Sequence, residues 1–261
     1  MRGGKGATED GGGEPFVSDL SASEFLLTSA AGFRPNGLVF GCSVFHAGTR
    51  PRRPTRSSEV DSLSQALYTA RQDAIRRMED EADALGASGV VGVRLTISTS
   101  DWSRKSVDFI AVGTAVTATD GAGSGDDWRT KDGTPFTSDL SGQGFWTLTR
   151  AGYRPLGFVM GVCVYHVGRR RSLTALGQTG RSTELVTQTQ ALYTARELAM
   201  TRMQEEGARL GAAGVIGSRI TESSQVWRHR FIEFLAIGTA IAPRASGGKS
   251  PEPRAAVSVD R

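Results

Sequence analysis

The sequence predicts an α+β fold of two tandem homologous domains, each a small twisted β-sheet packed on one long and one short helix. An internal duplication supports this, because residues 15–48 and 135–168 are identical at 17 of 34 positions. Residues 65–116 and 190–241 are identical at 26 of 52 positions. Both copies also repeat one order of short helix, apolar strand, long amphipathic helix and two further strands. A repeated unit of about 100 residues is a typical size for one domain.

The repeat predicts domain copy 1 at residues 15–117 and domain copy 2 at residues 135–242. Three stretches lie outside the copies: an N-terminus at 1–14, a Gly/Asp-rich linker at 118–134 and a C-terminal tail at 243–261. They are rich in Gly, Pro, Ser or charged residues and lack apolar periodicity. We therefore expect all three to be flexible and the tail to be disordered.

The composition is that of a globular chain that can bury a core, with 38% hydrophobic and 22% charged residues. A net charge of +4 is mild and does not require a nucleic-acid partner. Two cysteines in 261 residues exclude a disulfide scaffold and indicate a reducing compartment, so we expect a cytoplasmic protein. No apolar stretch has the length or position of a secretory signal or a membrane span.

Each copy is predicted to begin with a short helix followed by a buried strand. Ser21 and Glu24 have the spacing of a capping box, and Gly32 is typical of a helix end. The start in copy 2 is weaker, because Gly144 occupies the position of Glu24. The next segments, GLVFGCSVFH and GFVMGVCVYH, are apolar at both alternations and bounded by glycine. This pattern predicts a strand that is buried on both faces.

A long amphipathic helix follows in both copies, with apolar residues at every third or fourth position. These residues are Val60, Leu63, Leu67, Ala70, Ala74, Met78, Ala82 and Leu85 in copy 1, and Leu185, Leu192, Ala195, Ala199, Met203 and Leu210 in copy 2. The segment GVVGVRLTIS then predicts a strand with Val91 and Val93 on one face. Arg94 of this strand and its counterpart Arg219 are expected to pair with a glutamate of the long helix, Glu81 or Glu206. An apolar strand ending in GTA closes each copy.

Taken together, these segments resemble the YbjQ-like putative heavy-metal-binding family in its tandem actinobacterial form. The resemblance is carried by YTARQDAIRRMEDEADALGASGVVGVRL with VGTAV, and by YTARELAMTRMQEEGARLGAAGVIGSRI with IGTAI. The repeated SDLS and RPNG/RPLG elements add to it. The two copies cover about four fifths of the chain. The resemblance implies short α+β domains that assemble as a five-membered ring, and it implies no known enzymatic activity.

The resemblance and the duplication together predict a homo-oligomer. A five-membered ring cannot be filled by whole two-domain chains, because five is odd. If each copy keeps the ring of the family, five chains would form two rings, with one copy in each ring. Strands that are apolar on both faces suit such burial against neighbouring chains.

A divalent metal ion is the cofactor that the family name suggests. The candidate ligands are His46, His166, Cys42 and Cys163. On a strand, Cys42 and His46 would lie about 13 Å apart, and the odd separation of the other pair would direct the side chains to opposite faces. The alternative interpretation is two small buried cysteines and two histidines that end their strands. A metal site assembled between neighbouring subunits stays open, and no cofactor is certain.

Two further sets of residues are candidates for a site. Basic loops would concentrate positive potential on one rim of a ring and bind an anionic ligand, or would be solvated surface. Their arginines are Arg50, Arg52, Arg53 and Arg56 in copy 1, and Arg169, Arg170, Arg171 and Arg181 in copy 2. Tyr68 with Arg71, and Tyr193 with Arg196, project from nearly one helix face and would pack between subunits or line a pore or ligand cleft.

Motifs of the common enzyme classes do not occur: the sequence has no GxGxxG after a strand, no Walker loop and no GxSxG element. We therefore predict a protein that is not an enzyme. The predicted function is a non-catalytic, ring-forming scaffold or small-ligand-binding protein. Metal binding through inter-subunit His/Cys sites, or anionic-ligand binding by the Arg-rich loops, is the alternative.

Overall fold

The computed structural model describes residues 16–46, 57–99, 106–167, 186–223 and 231–244. In these residues each copy contains the short helix, the long helix and the three main strands expected from the sequence. The helices are α1 Ala22–Ala30, α2 Asp61–Ala84, α3 Gly142–Arg150 and α4 Val186–Arg209. The strands are β1 Phe33–His46, β2 Ser58–Glu59, β3 Gly89–Thr99, β4 Ser106–Ala118, β5 Phe136–Thr137, β6 Tyr153–His166, β7 Gly214–Ser223 and β8 Phe231–Pro243.

The prediction of two tandem α+β domains is confirmed. The capping box is also confirmed, because the Glu24 carboxylate accepts a hydrogen bond from the Ser21 N–H at 2.9 Å and the Ser21 hydroxyl accepts one from the Glu24 N–H. In copy 2 the hydroxyl of Ser141 accepts a hydrogen bond from the Gly144 N–H at 3.2 Å. No helix in the described part of the chain combines the length and apolar character needed to cross a bilayer.

The strands form two four-stranded sheets, and each sheet includes one short strand from the other copy. Sheet A has the order β1-β4-β3-β5, and sheet B has the order β2-β6-β8-β7. The main strands of both sheets are antiparallel, and β5 pairs with β3 in parallel. Because β5 belongs to copy 2 and β2 belongs to copy 1, the copies are interlocked.

The core is built from four layers in the order sheet A, α2, sheet B and α4. One face of α2 packs on β1 and β4 of its own copy, and its other face packs on β6 of copy 2. One apolar cluster therefore spans both copies; it includes Val39, Leu67, Ala74, Met78, Val90, Phe158, Met160, Val162 and Leu235. Since α2 is covered on two faces, contact between the copies contributes directly to the core.

A β-bulge at Gly92 interrupts the predicted alternation of β3. The pairing with β4 shifts between Val91 and Arg94, and Gly92 has a φ of +67°. Val93 packs in the cluster around α2, whereas Val91 packs with Phe33 in a separate cluster. The prediction that Val91 and Val93 share one face is therefore wrong, because the extra residue of the bulge moves Val91 to the other face.

The segment between the copies is packed against copy 1. Trp128 is buried with its ring edge-on to Phe33 at 4.7 Å between centroids, and its indole N–H donates to the Ala122 carbonyl at 3.1 Å. The expectation of a flexible linker at 118–134 is wrong for this part of it. The segment has no apolar periodicity, but its one tryptophan has enough apolar area to pack it against copy 1.

Candidate assembly interface

A buried ion pair joins the two copies. Arg71 on α2 is 0% exposed, and its guanidinium donates to the carboxylate of Glu233 on β8. The same guanidinium lies over the ring of Phe109, 5.0 Å from its centroid. Because an unpartnered buried charge is strongly unfavourable, this pair fixes how α2 is placed on sheet B.

A second ion pair lies where β2 joins the edge of β6. Glu59 accepts hydrogen bonds from the Arg202 guanidinium at 3.0 Å and from the Ser64 hydroxyl at 2.7 Å. The Ser64 hydroxyl in turn accepts from the Val164 N–H at 2.8 Å. Burial alone would raise the pKa of Glu59, but the hydrogen bonds from Arg202 and Ser64 outweigh it, so this pKa lies below its ordinary value. Glu59 is therefore ionised in the contact at neutral pH.

Tyr68 and Glu206 form a third polar contact between the copies. The phenol of Tyr68 donates to Glu206 at 3.0 Å, and the Met160 N–H donates to the other carboxylate oxygen at 2.8 Å. Burial and the neighbouring carboxylate raise the pKa of Tyr68 to about 12, and burial raises the pKa of Glu206. Tyr68 therefore remains a neutral hydrogen-bond donor in this contact.

Glu79 is a mostly buried acidic residue of the contact. Its carboxylate lies between α2 and β5, where the Thr137 hydroxyl donates to it at 3.3 Å. Burial is the main cause that raises the pKa of Glu79 to about 7. The corresponding residue of copy 2 is Gln204, which cannot ionise.

The SDLS segment of each copy binds the Thr of the GTA motif and the Arg of the neighbouring strand. The residues are Ser18, Asp19, Arg94 and Thr114 in copy 1, and Ser138, Asp139, Arg219 and Thr239 in copy 2. The two hydroxyls lie 3.2 Å apart in copy 1 and 3.1 Å apart in copy 2, and the Asp and Arg form an ion pair. The prediction that the arginines pair with Glu81 or Glu206 is therefore wrong. Those glutamates accept backbone N–H groups of β1 and β6 instead.

Among the described residues, none forms a layer on the outer face of sheet A like the one that α2 forms on sheet B. We call the residues Leu38, Phe40, Cys42 and Val44 of sheet A the bare sheet face. Phe40 and Val44 are 47% and 58% exposed, whereas their counterparts Met160 and Val164 are 2% and 0% exposed beneath α2. The prediction that this strand is buried on both faces is confirmed for β6 and wrong for β1, because in the described part of the chain a helix packs on the outer side of β6 and not on that of β1.

At the opposite end of the layers, no described element covers the outer face of α4. We call its residues Tyr193, Arg196 and Met200 the bare helix face. Tyr193 is 60% exposed and Arg196 is exposed, whereas their counterparts Tyr68 and Arg71 contact copy 2. The Arg196 guanidinium lies over the Tyr193 ring, 5.3 Å from its centroid. The two bare faces lie on the two outer layers of the molecule. Their residues correspond to the two sides of the contact between copy 1 and copy 2.

The internal contact bears on the expected two-ring arrangement. The face of α2 that points away from sheet A is covered by sheet B of the same chain. Five chains in two rings, with one copy in each ring, stays a prediction.

The structure places the candidate metal ligands on strands β1 and β6. Cys42 is exposed on the bare sheet face, so the prediction of a buried cysteine is wrong there, and His46 ends the same strand. Cys163 is buried, and burial raises the pKa of its thiol to about 12. His166 is buried beside the Phe231 ring, 5.1 Å between centroids. No group of three or more His, Cys, Asp or Glu is placed to hold a metal in the part of the chain that the structure describes.

The remaining sequence predictions fall on other parts of the chain. Arg50, Arg52, Arg53, Arg56, Arg169, Arg170, Arg171 and Arg181 lie outside the described residues. Conversely, the sequence reasoning missed Glu59, Glu79, Arg202 and Glu233. A signal for two of them was present, because Arg202 repeats Arg77 and Glu59 lies in RSSEV, which recurs as RSTEL.

Comparison with known proteins finds relatives for one copy and for both. A family model described as putative heavy-metal-binding matches residues 38–119 and 150–244. An encapsulin nanocompartment protein of Mycobacterium tuberculosis is 44% identical over 232 residues, which cover 89% of this chain and 87% of that protein. A UPF0145 protein of Halobacterium salinarum is 34% identical over 102 residues, which cover 39% of this chain and 96% of that protein. The haloarchaeal relative therefore has about the length of one copy.

Proposed function

Since the chain belongs to the putative heavy-metal-binding YbjQ family and carries two copies of its domain, we propose that it is a non-catalytic scaffold that assembles head to tail with further copies of itself. The name of the mycobacterial relative, an encapsulin nanocompartment protein, supports a role in protein assembly.

One observation carries this proposal: residues equivalent to the two sides of the contact between copy 1 and copy 2 are exposed on the two outer layers of the molecule. The residues of the bare sheet face correspond to residues of β6 that contact α2. The residues of the bare helix face correspond to residues of α2 that contact sheet B. Placing the bare helix face of one chain on the bare sheet face of the next would repeat the internal contact. Burying the apolar side chains of both bare faces would drive association of the chains.

The contact joins unlike surfaces, so it produces a ring if the rotation between copies closes and a filament if it does not. We favour a closed ring, although a ring with an even number of domains differs from the five-membered ring that the family resemblance implies. Copies 1 and 2 would alternate around one ring, which therefore holds an even number of domains. Five chains would give ten domains, and the chain number is a quantity to measure.

The use of the buried polar groups supports a role without catalysis. Arg71, Glu59, Glu206 and Glu233 are engaged in contacts between the copies. Hydrogen bonds and ion pairs of this kind fix the orientation of two packed elements, and they leave no activated nucleophile or acid–base pair at these positions.

A single charge on the bare sheet face tests the proposal. In Val44→Asp, a carboxylate replaces an exposed valine whose counterpart Val164 is 0% exposed in the internal contact. We expect sedimentation velocity to detect a multimer for the parent chain and a folded monomer for the variant. Leu85→Asp is the control, because Leu85 is 47% exposed and its counterpart Leu210 packs against the apolar cluster of its own copy. A parent chain that is monomeric at micromolar concentration would contradict the proposal.

A further inference from the structure

The second copy docks on the first with a short N-terminal unit. This unit, residues 136–150, consists of β5, the SDLS turn and α3, and β5 extends the edge of β3. The Gly92 N–H donates to the Leu140 carbonyl at 3.0 Å, and the Val93 N–H donates to the Ser138 carbonyl at 2.9 Å. Backbone pairing of this kind is strand addition at a sheet edge.

Two stacked phenylalanines fill the space beside that edge. Phe136 and Phe145 have ring centroids 5.7 Å apart with an interplanar angle of 15°, and both are fully buried. The Phe136 ring lies so close to Gly89 that a Cβ at that glycine would lie 2.2 Å from it. Glycine at this position is therefore required for the docking of the unit.

Copy 1 carries a corresponding unit at residues 16–30, and no strand in the described part of the chain pairs with it as β3 pairs with β5. The Phe16 and Phe25 rings stack with centroids 5.9 Å apart and an angle of 21°, close to the geometry of copy 2. Phe16 is 50% exposed and Val17 is 66% exposed, whereas the corresponding residues of copy 2 are buried. The unit is thus preorganised, and its apolar side lies in water.

Copy 2 has the matching edge, and no described segment pairs with it. Strand β7 is the last strand of sheet B, and Gly217 repeats the bulge of Gly92 with a φ of +65°. A Cβ at Gly214, the counterpart of Gly89, would meet no atom within 4 Å. A groove of about 300 Å³ lies beside this edge, lined by Met200, Met203, Gly207, Gly214, Val215 and Ser218.

We propose that residues 16–30 of one chain dock on the β7 edge of the next chain, with Phe16 lying over Gly214 and Val17 pairing with Val215. The proposal rests on the head-to-tail assembly proposed above and names the segment that one chain inserts into its neighbour. The occupant is a second copy of this chain. Within one chain, residues 136–150 dock on the β3 edge, with Phe136 beside Gly89. Residues 16–30, the β7 edge and Gly214 repeat these three features.

Gly214→Leu tests the docking by filling the space that Phe16 would take. The new side chain meets open space within the chain, so the variant should fold as a monomer with an unchanged melting temperature. We expect the dissociation constant between chains to rise at least about 50-fold, because roughly 100 Å² of the Phe16 surface would remain in water. Glu205→Leu is the control, because both Glu205 and its counterpart Asp80 are exposed in the structure.

A disulfide trap provides a second measurement. In a Cys42→Ser background, Val17→Cys combined with Val215→Cys should give covalently linked chains on mild oxidation. Val17→Cys combined with Thr221→Cys should not, since Thr221 lies about 20 Å further along the strand. The docking would be overturned if the parent chain and Gly214→Leu both assemble and no cross-link forms. Head-to-tail assembly would still hold in that case. A monomeric parent chain would overturn both.

Discussion

Charge reversal at Arg196 should break the contact between chains, and a second reversal at Asp108 should restore it. Arg196 is the counterpart of Arg71, and Asp108 is the counterpart of Glu233, so the two would face each other between neighbouring chains. In Arg196→Glu, two acidic groups would meet where the internal contact has an ion pair. In Arg196→Glu with Asp108→Arg, the pair is present again with its signs exchanged.

The internal pair sets the size of the effect. The side chains of Arg71 and Glu233 are 0% and 4% exposed. Removing one partner of a pair this buried costs about 3–5 kcal/mol. Because about 1.4 kcal/mol corresponds to a factor of ten, Arg196→Glu should weaken each contact between chains by about 100-fold or more. The double reversal should recover most of this loss.

Sedimentation velocity or mass photometry over a range of concentrations measures the effect. Glu205→Arg reverses a charge on α4 and serves as the control, because Glu205 and its counterpart Asp80 are both exposed. If Arg196→Glu assembles as the parent chain does, or if the double reversal does not recover assembly, then the contact between chains does not repeat the internal one.

Three further predictions concern the single chain and its ligands. Arg71→Met should lower the free energy of unfolding by about 3–5 kcal/mol, measured by urea denaturation, because it leaves Glu233 buried without its cation. Glu79 has a pKa raised to about 7 from 4.5, so its neutral form favours the folded chain. The contribution of Glu79 to stability should therefore be full below about pH 4.5 and fall by about 3 kcal/mol as the pH rises to 7. Glu79→Gln, which introduces the residue of copy 2, should remove that fall in denaturation curves measured at several pH values. Chain purified without chelators should contain less than one equivalent of zinc by elemental mass spectrometry, and Cys42→Ser should leave that content unchanged; a full equivalent that the substitution removes would instead support metal binding between subunits.

The sequence was sufficient for features that depend on neighbouring residues. The capping box at Ser21 and Glu24 and the two long helices follow from local patterns, and the structure contains them. The strands β2 and β5 could not be predicted in the same way. Each has two residues and pairs with the other copy, so neither has a periodicity of its own.

The site was predicted in part, for a physical reason. The apolar pattern of GLVFGCSVFH predicts burial on both faces, and the chain covers only one face of β1. A pattern of this kind shows that a face is suited to burial and does not show which neighbour covers it. Ion pairs between the copies, such as Arg71 with Glu233, depend on packing between residues far apart in the chain. The counterpart Asp108 is acidic as well, and this repetition is the signal that the sequence offered.

The most direct test of head-to-tail assembly is the native mass of the untagged chain, measured at several micromolar concentrations without chelators. We predict one dominant species whose mass is a whole multiple of 27.7 kDa, with three or more chains and an even number of domains in one ring. A mass of five chains would match the number expected from the sequence. A single chain of 27.7 kDa across the whole range would contradict the account, because both bare faces would then remain in water.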